Sequence, residues 1–169
     1  MKRRGLLLLL CGVLCVLLTA CGETTVENMG YDTIYHTELG HFISLGMEKD
    51  EIDALLGEGV KNYYYDYPDG LGVEYEDGKA VKLRIEGDLT PWIIKGGLVP
   101  GLIVRDVWAA YGEQEIFVPD LGDIETDMTL LSYPFDKSGK LTDSVLDADV
   151  TVNFHLNSSR EVTSISISA

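Results

Sequence analysis

An α+β fold of two repeats, each a short helix followed by an antiparallel β-meander, is the architecture this sequence predicts. Residues 46–58 read GMEKDEIDALLGE and residues 101–113 read GLIVRDVWAAYGE. Both open with Gly and a large apolar residue and close with Gly-Glu, 55 residues apart. Each is followed by segments that alternate apolar and polar residues between turn-forming residues, the pattern of half-buried strands.

The first element in the chain is a leader. Lys2, Arg3 and Arg4 precede an apolar run from Leu6 to Leu18. At about 13 residues the run has the length of a signal-peptide core and is too short for a membrane span. It ends in Leu18-Thr19-Ala20-Cys21, which looks like the bacterial lipobox: a branched apolar residue, two small ones, then Cys. The resemblance implies that residues 1–20 are a lipoprotein signal peptide and that Cys21 is acylated. The mature chain is then held on the extracytoplasmic side of the cell membrane by its lipid, stably if two acyl chains are attached. Cys11 and Cys15 leave with the leader, so no free thiol or disulfide is expected to remain and stability must come from core burial. Residues 21–35 are expected as lipidated N-terminus and tether, because Gly22 to Thr33 are polar and short of apolar pairs.

The chain carries 13 Lys and Arg against 28 Asp and Glu; with the three basic residues of the leader removed, ten remain and the net charge is −18. Such a surface repels nucleic acid and anionic headgroups, so nucleic-acid binding is excluded and the membrane contact is the lipid alone.

Repeat 1 is expected over residues 36–90. Ile52, Leu55 and Leu56 stand at the i, i+3, i+4 spacing of one helical face. Gly57 suits a left-handed helix end. Tyr63, Tyr65 and Tyr67 then alternate, Pro68-Asp69-Gly70 turns the chain, and Leu71, Val73 and Tyr75 form a second strand. Asp77-Gly78 is a hairpin signal, and Val81, Leu83 and Ile85 alternate against Lys82, Arg84 and Glu86. Repeat 2 is expected over residues 91–169. Val107, Ala110 and Tyr111 repeat the helical spacing and Gly112 the stop. An acidic insert at 113–128 separates this helix from strands at Thr129 to Phe135, Val150 to Leu156 and Val162 to Ile167. Leu55 and Val107 are expected to be buried, one on each helix, against the apolar face marked by Val73, Tyr75, Leu83, Ile85, Val152, Phe154, Ile165 and Ile167.

These pieces resemble the tandem repeats of the β-lactamase-inhibitor-protein-like fold and the related small lipoprotein domains of the SmpA/OmlA group. The resemblance rests on Gly46-Met47, Leu56-Gly57, Tyr75-Glu76-Asp77-Gly78-Lys79, Gly101-Leu102 and Tyr111-Gly112. It implies a non-catalytic protein that binds another protein on a sheet face or supports envelope assembly. The contact residues of those families do not transfer, and the acidic insert departs from them.

Chemistry is sparse. Asp123, Glu125 and Asp127 alternate as early calcium-loop ligands do, but Met128 stands where Gly is needed and Pro134 where the closing Glu would be. His36, His41 and His155 are the only histidines; the first two are expected in a loop, with no Cys to complete a zinc site. No nucleophile elbow or phosphate loop is present, so no enzyme activity, metal or cofactor is expected. The outer sheet face is expected to carry Tyr64, Glu74, Glu76, Lys82, Arg84, Asn153 and His155, with Ser164 and Ser166, as the binding surface for an envelope or extracellular protein. The alternative is a lipoprotein that captures a small molecule or cation.

Anchoring is directly testable. Cys21→Ser should move the protein from the membrane pellet to the soluble fraction. A variant that still pellets, together with a wild type that incorporates no labelled fatty acid, contradicts lipidation.

Overall fold

The alternating segments form strands and the two Gly-bounded segments form helices. The computed structural model describes residues 26–115 and 129–169. The leader, Cys21 and residues 116–128, with Asp123, Glu125 and Asp127, lie outside the described residues. Among the described residues the fold is α+β, with two α-helices and ten antiparallel strands in two sheets. The helices are α1 (Lys49–Leu56) and α2 (Val104–Tyr111). The strands are β1 (Thr33–His36), β2 (His41–Ser44), β3 (Val60–Lys61), β4 (Tyr65–Tyr67), β5 (Leu71–Glu76), β6 (Lys79–Glu86), β7 (Trp92–Ile94), β8 (Thr129–Phe135), β9 (Val150–Leu156) and β10 (Val162–Ser168).

The larger sheet has the order β3-β4-β5-β6-β10-β9-β8. One meander is β4-β5-β6, the other is β8-β9-β10, and the two join where β6 pairs with β10. In that pairing Ile85 lies opposite Ile165, Arg84 opposite Ser166 and Leu83 opposite Ile167. Alternation then fixes the faces. Leu71, Val73, Leu83, Ile85, Val152, Phe154, Ile165 and Ile167 are buried on the inner face, in one core with Ile52 of α1 and Val107 of α2. Each such aliphatic side chain contributes about 1.5–3 kcal/mol relative to exposure. Tyr75 is only half-buried, and its hydroxyl meets that of Tyr67 at 2.8 Å.

The helices have eight residues each, too few to stand without tertiary support. Both are fastened by the same kind of main-chain clasp. Gly46 N donates to Ala80 O at 2.7 Å, Ala80 N to Met47 O at 2.9 Å, and Lys49 N to Gly78 O at 2.8 Å. Correspondingly, Gly101 N donates to Val162 O at 2.7 Å, Val162 N to Leu102 O at 2.7 Å, and Val104 N to Arg160 O at 3.0 Å. A carboxylate in the first turn of each helix accepts from the amide before it, Glu51 from Glu48 N at 3.1 Å and Asp106 from Ile103 N at 3.3 Å. The helices stop at Gly57 (φ 87°, ψ 168°) and Gly112 (φ 91°, ψ 158°). This is not the left-handed helical cap the sequence suggests but an extended conformation at positive φ that is open almost only to Gly.

Several expectations need correction. Val107 is 0% exposed but Leu55 is 37% exposed: α1 faces the core through Ile52, with Leu56 packed beside it, and Leu55 falls on the rim. Tyr63 is 87% exposed and precedes β4; it sits in a tight connection in which Asn62 N donates to Tyr64 O at 2.7 Å. The fold begins before residue 36. Met29 is 0% exposed, Lys95 Nζ donates to its carbonyl at 2.7 Å, and the Tyr31 ring stacks on Phe135 at 3.7 Å.

The smaller sheet, β2-β1-β7, has no counterpart in the sequence reading. It adds Ile34, Ile43, Trp92 and Ile94 to the common core. His36 and His41 are therefore strand residues, opposite each other in β1 and β2. His36 is buried. Its Nδ1 accepts from the amides of Glu38 and Leu39 at 3.3 and 3.1 Å, which leaves Nε2 to donate to Asp69 Oδ2 at 3.0 Å. This histidine ties the β1–β2 turn to the Pro68–Gly70 turn.

Candidate functional site

The outer face of the larger sheet collects side chains from both meanders. Its central row is Gly72, Arg84, Ser166, Asn153 and Ser132, each opposite the next across adjacent strands. Lys82 lies opposite Glu74 in the row on one side, and Ser164 opposite both Glu86 and His155 on the other.

Tyr64 reaches this face from the connection before β4. Its side chain lies against Gly72: a Cβ at Gly72 would stand 3.3 Å from both Cβ and Cγ of Tyr64. A strand-interior Gly often marks such a close approach. The Tyr64 ring then receives two cations, Lys82 Nζ and the Arg84 guanidinium carbon, each 5.7 Å from its centroid. Cation–π attraction of this kind contributes about 0.5–1 kcal/mol at an exposed site. Tyr63 packs edge-on against Tyr64 at 5.1 Å, which extends the aromatic surface outward.

Tyr64, Lys82, Arg84, Glu86, His155, Thr163, Ser164 and Ser166 line an open cavity of about 340 Å³. Arg84 Nη2 is paired with Glu86 Oε2 at 2.7 Å. Among the described residues Lys82 makes no ion pair, although Glu74 stands opposite it. His155 Nε2 approaches Ser166 Oγ at 3.5 Å. Burial, then the positive charges of Arg84 and Lys82, hold the His155 imidazole below its ordinary pKa. Ser164 and Ser166 are buried despite pointing outward, so the centre of this face is a polar floor under Tyr64, Arg84 and His155 rather than an open solvated surface.

Of the residues expected in the site, Tyr64, Lys82, Arg84 and His155 are brought together. Glu74 and Asn153 share the face but not the cavity, and Asn153 Oδ1 accepts from Ser132 Oγ at 2.6 Å. Glu76 lies opposite Lys79 at the β5–β6 turn. Alternation places Glu86 on this face but not its pairing with Arg84, and Gly72 and Thr163 are not among the residues expected there. Gly72 alone carried a signal, as a glycine inside an apolar alternation.

Other polar clusters serve the fold. Asp53 of α1 accepts from Lys49 Nζ and from Tyr67 Oη, the latter at 2.7 Å. Burial pushes the Asp53 carboxyl up, but the hydrogen bonds from Lys49, Tyr67 and Gly59 prevail and hold it below the ordinary value. Burial, followed by hydrogen bonds to Tyr75 and Asp53, raises the Tyr67 hydroxyl far above its usual range. Tyr133 Oη donates to Gly112 O at 2.6 Å, and burial pushes its pKa up to about 12. These neutral hydroxyls pin both helices to the sheet, Tyr67 through Asp53 of α1 and Tyr133 through the end of α2 at Gly112. Among the described residues no group of three or more His, Cys, Asp or Glu could hold a metal ion.

No family model matches the chain, and no curated protein matches it. Among solved structures it is similar to the crystal structure of a DUF4309 family protein (YjgB) from Bacillus subtilis subsp. subtilis str. 168. The identity is 15%, the match covers 72% of this chain and 78% of that chain, and the TM-score is 0.47.

His155 gives the site a pH signature. Its depressed pKa means that the unfolded chain, titrating near 6.5, takes up this proton at higher pH than the folded chain does. Stability is therefore lost as pH falls below about 6.5, down to the folded value. The groups facing the imidazole are Arg84 and Lys82 with Glu86 on β6, Ser164 and Ser166 on β10, and Tyr64. Denaturant melts of His155→Gln should show a flatter loss of stability than the wild type across that window. Superimposable pH profiles contradict the assignment.

Proposed function

We propose that this chain is a membrane-anchored envelope lipoprotein, without catalytic activity, whose outer sheet face docks another protein. The observation that carries the reading is the gathering of Tyr64, Lys82 and Arg84 with His155 from separate meanders into one open cavity. Tyr and Arg are over-represented among residues that dominate interface energetics, and Tyr63 adds an exposed ring beside them. The lipid on Cys21 would place this face in the extracytoplasmic space.

The Ser166–His155 pair is the closest approach to a catalytic arrangement, and three features weigh against that use. The contact is long at 3.5 Å. Ser166 is 2% exposed. Among the described residues no carboxylate hydrogen-bonds His155 to orient it, and two neighbouring cations disfavour the imidazolium that a base must become. Capture of a small molecule would call for a deep, mostly apolar pocket, whereas this cavity is open and lined by charged and hydroxyl groups.

The chain is further read as two repeats of the β-lactamase-inhibitor-protein-like kind, related to the SmpA/OmlA lipoproteins. The paired clasps support this: Gly46, Gly78 and Ala80 in one half play the parts of Gly101, Arg160 and Val162 in the other. Carried along the strands, the same correspondence equates Arg84 with Ser166, and these two residues face each other across β6 and β10. A local two-fold relation would thus pass through the middle of the proposed docking face.

The test is photo-crosslinking in native envelopes. A photoreactive residue replacing exposed Tyr63 should capture a protein, and one replacing Glu38 should not. Tyr64→Ala with Arg84→Ala should reduce capture at position 63 roughly tenfold while leaving the melting temperature nearly unchanged. Undiminished capture by the folded double variant contradicts the reading.

A further inference from the structure

Charge is distributed unevenly on this molecule. The chain as a whole is strongly acidic, with 28 carboxylate side chains against 13 Lys and Arg. The outer-face cavity reverses that balance, with Lys82 and Arg84 against Glu86 alone. The cavity beside Tyr31 offers a contrast: Lys95 and Lys137 there meet Asp32, Asp136 and Asp149. Within the outer-face lining the balance favours an anionic group, compared with the acidic remainder of the surface, with Glu74, opposite Lys82, standing just outside the cavity.

The chemistry of the lining is more specific than its sign. Lys82 has no ion pair and rests over the Tyr64 ring beside Arg84. Arg84 uses one terminal nitrogen, Nη2, for Glu86, and a guanidinium has further N–H donors in a planar fork. Glu86 therefore already shows, within the chain, how a carboxylate is held here. The lining's excess of one positive charge, with Glu74 just outside it, suits a monoanion better than a doubly charged phosphate. The hydroxyls of Thr163, Ser164 and Ser166 and the imidazole of His155 complete a polar lining, and the Tyr64 ring shields one side from water.

We propose that this cavity is a carboxylate subsite, and that the protein partner inserts an acidic side chain between Lys82 and Arg84 beside Tyr64. The inference rests on the docking reading above and names the chemistry of the group that docks. Glu86 acts as an internal competitor for the guanidinium, so its removal strengthens binding.

The experiment uses the mature chain without its lipid and two capped tripeptides, acetyl-Gly-Glu-Gly-amide and acetyl-Gly-Gln-Gly-amide, with inorganic phosphate as a third probe. NMR titration follows the His155 imidazole and the Arg84 side chain at constant ionic strength. The Glu peptide should bind at least about tenfold more tightly than the Gln peptide, the scale of a charge-assisted hydrogen bond to a carboxylate. Lys82→Met with Arg84→Met should abolish that preference in a protein whose amide spectrum remains folded. Glu86→Gln should tighten the Glu peptide severalfold, a gain that a merely damaged fold cannot produce. Equal binding of the two peptides, no saturable shift with either, or phosphate binding as tightly as the Glu peptide each overturn the proposal. If peptide discrimination is absent while the Tyr64 and Arg84 substitutions still reduce envelope crosslinking, the docking face stands and the carboxylate assignment falls. If discrimination is present and crosslinking is undiminished, the subsite stands and the docking reading falls.

Discussion

The pairing of β6 with β10 is the contact on which the rest of the structure depends. Each meander alone is a few strands with one apolar face, and each eight-residue helix alone is too short to persist. Joined at this seam, the two inner faces become one surface, and Ile85, Ile165, Leu83 and Ile167 meet at its centre. Both helices and the smaller sheet then have a common surface to cover. Because side chains alternate along a strand, the register that places these residues inward also places Arg84 and Ser166 outward as neighbours. A slip of one residue would invert both faces at once.

The candidate site is a by-product of that register. Lys82, Arg84 and Glu86 come from β6, Ser164 and Ser166 from β10, and His155 from β9. Neither meander could assemble the cavity alone. Tyr64 is the exception, since it arrives from a turn, and it packs closely over Gly72, where a side chain would crowd it. Under the proposed docking reading the surrounding acidity would have a role beyond solubility: it would make a patch with a small positive excess distinctive and raise the cost of docking an anionic partner anywhere else.

The alternating strands β5, β6, β8, β9 and β10 and both helices were legible in the sequence because their periods are strong and Gly marks their ends. The inner and outer faces of the larger sheet followed from alternation, and so did the place of Lys82, Arg84 and His155 on one surface; Tyr64 precedes β4 and reaches that surface from a turn, not by strand alternation. The smaller sheet was not legible. Its strands have three or four residues, shorter than a periodic signal needs, and β7 pairs with β1 across more than fifty residues of chain. Leu55 was misplaced because a two-turn helix touches the core through one narrow stripe, and spacing alone does not say which of Ile52, Leu55 and Leu56 lies at its centre. Within the site, the burial of Ser164 and Ser166 was invisible because it comes from neighbours on other strands and from the Tyr64 turn. Glu86 read only as another charge on the outer face; its pairing with Arg84 is a matter of side-chain geometry.

Native-state hydrogen exchange across the β6–β10 seam tests the central claim most directly. If the seam makes one cooperative unit of the two meanders, the hydrogen-bonded amides of β5, β6, β9 and β10 should exchange through a common opening. Its free energy should equal that of global unfolding. Equal protection in both meanders is the expected result. Exchange of one meander at a markedly lower free energy, with the other still protected, would show that each half folds on its own and that the seam is a contact between independent parts.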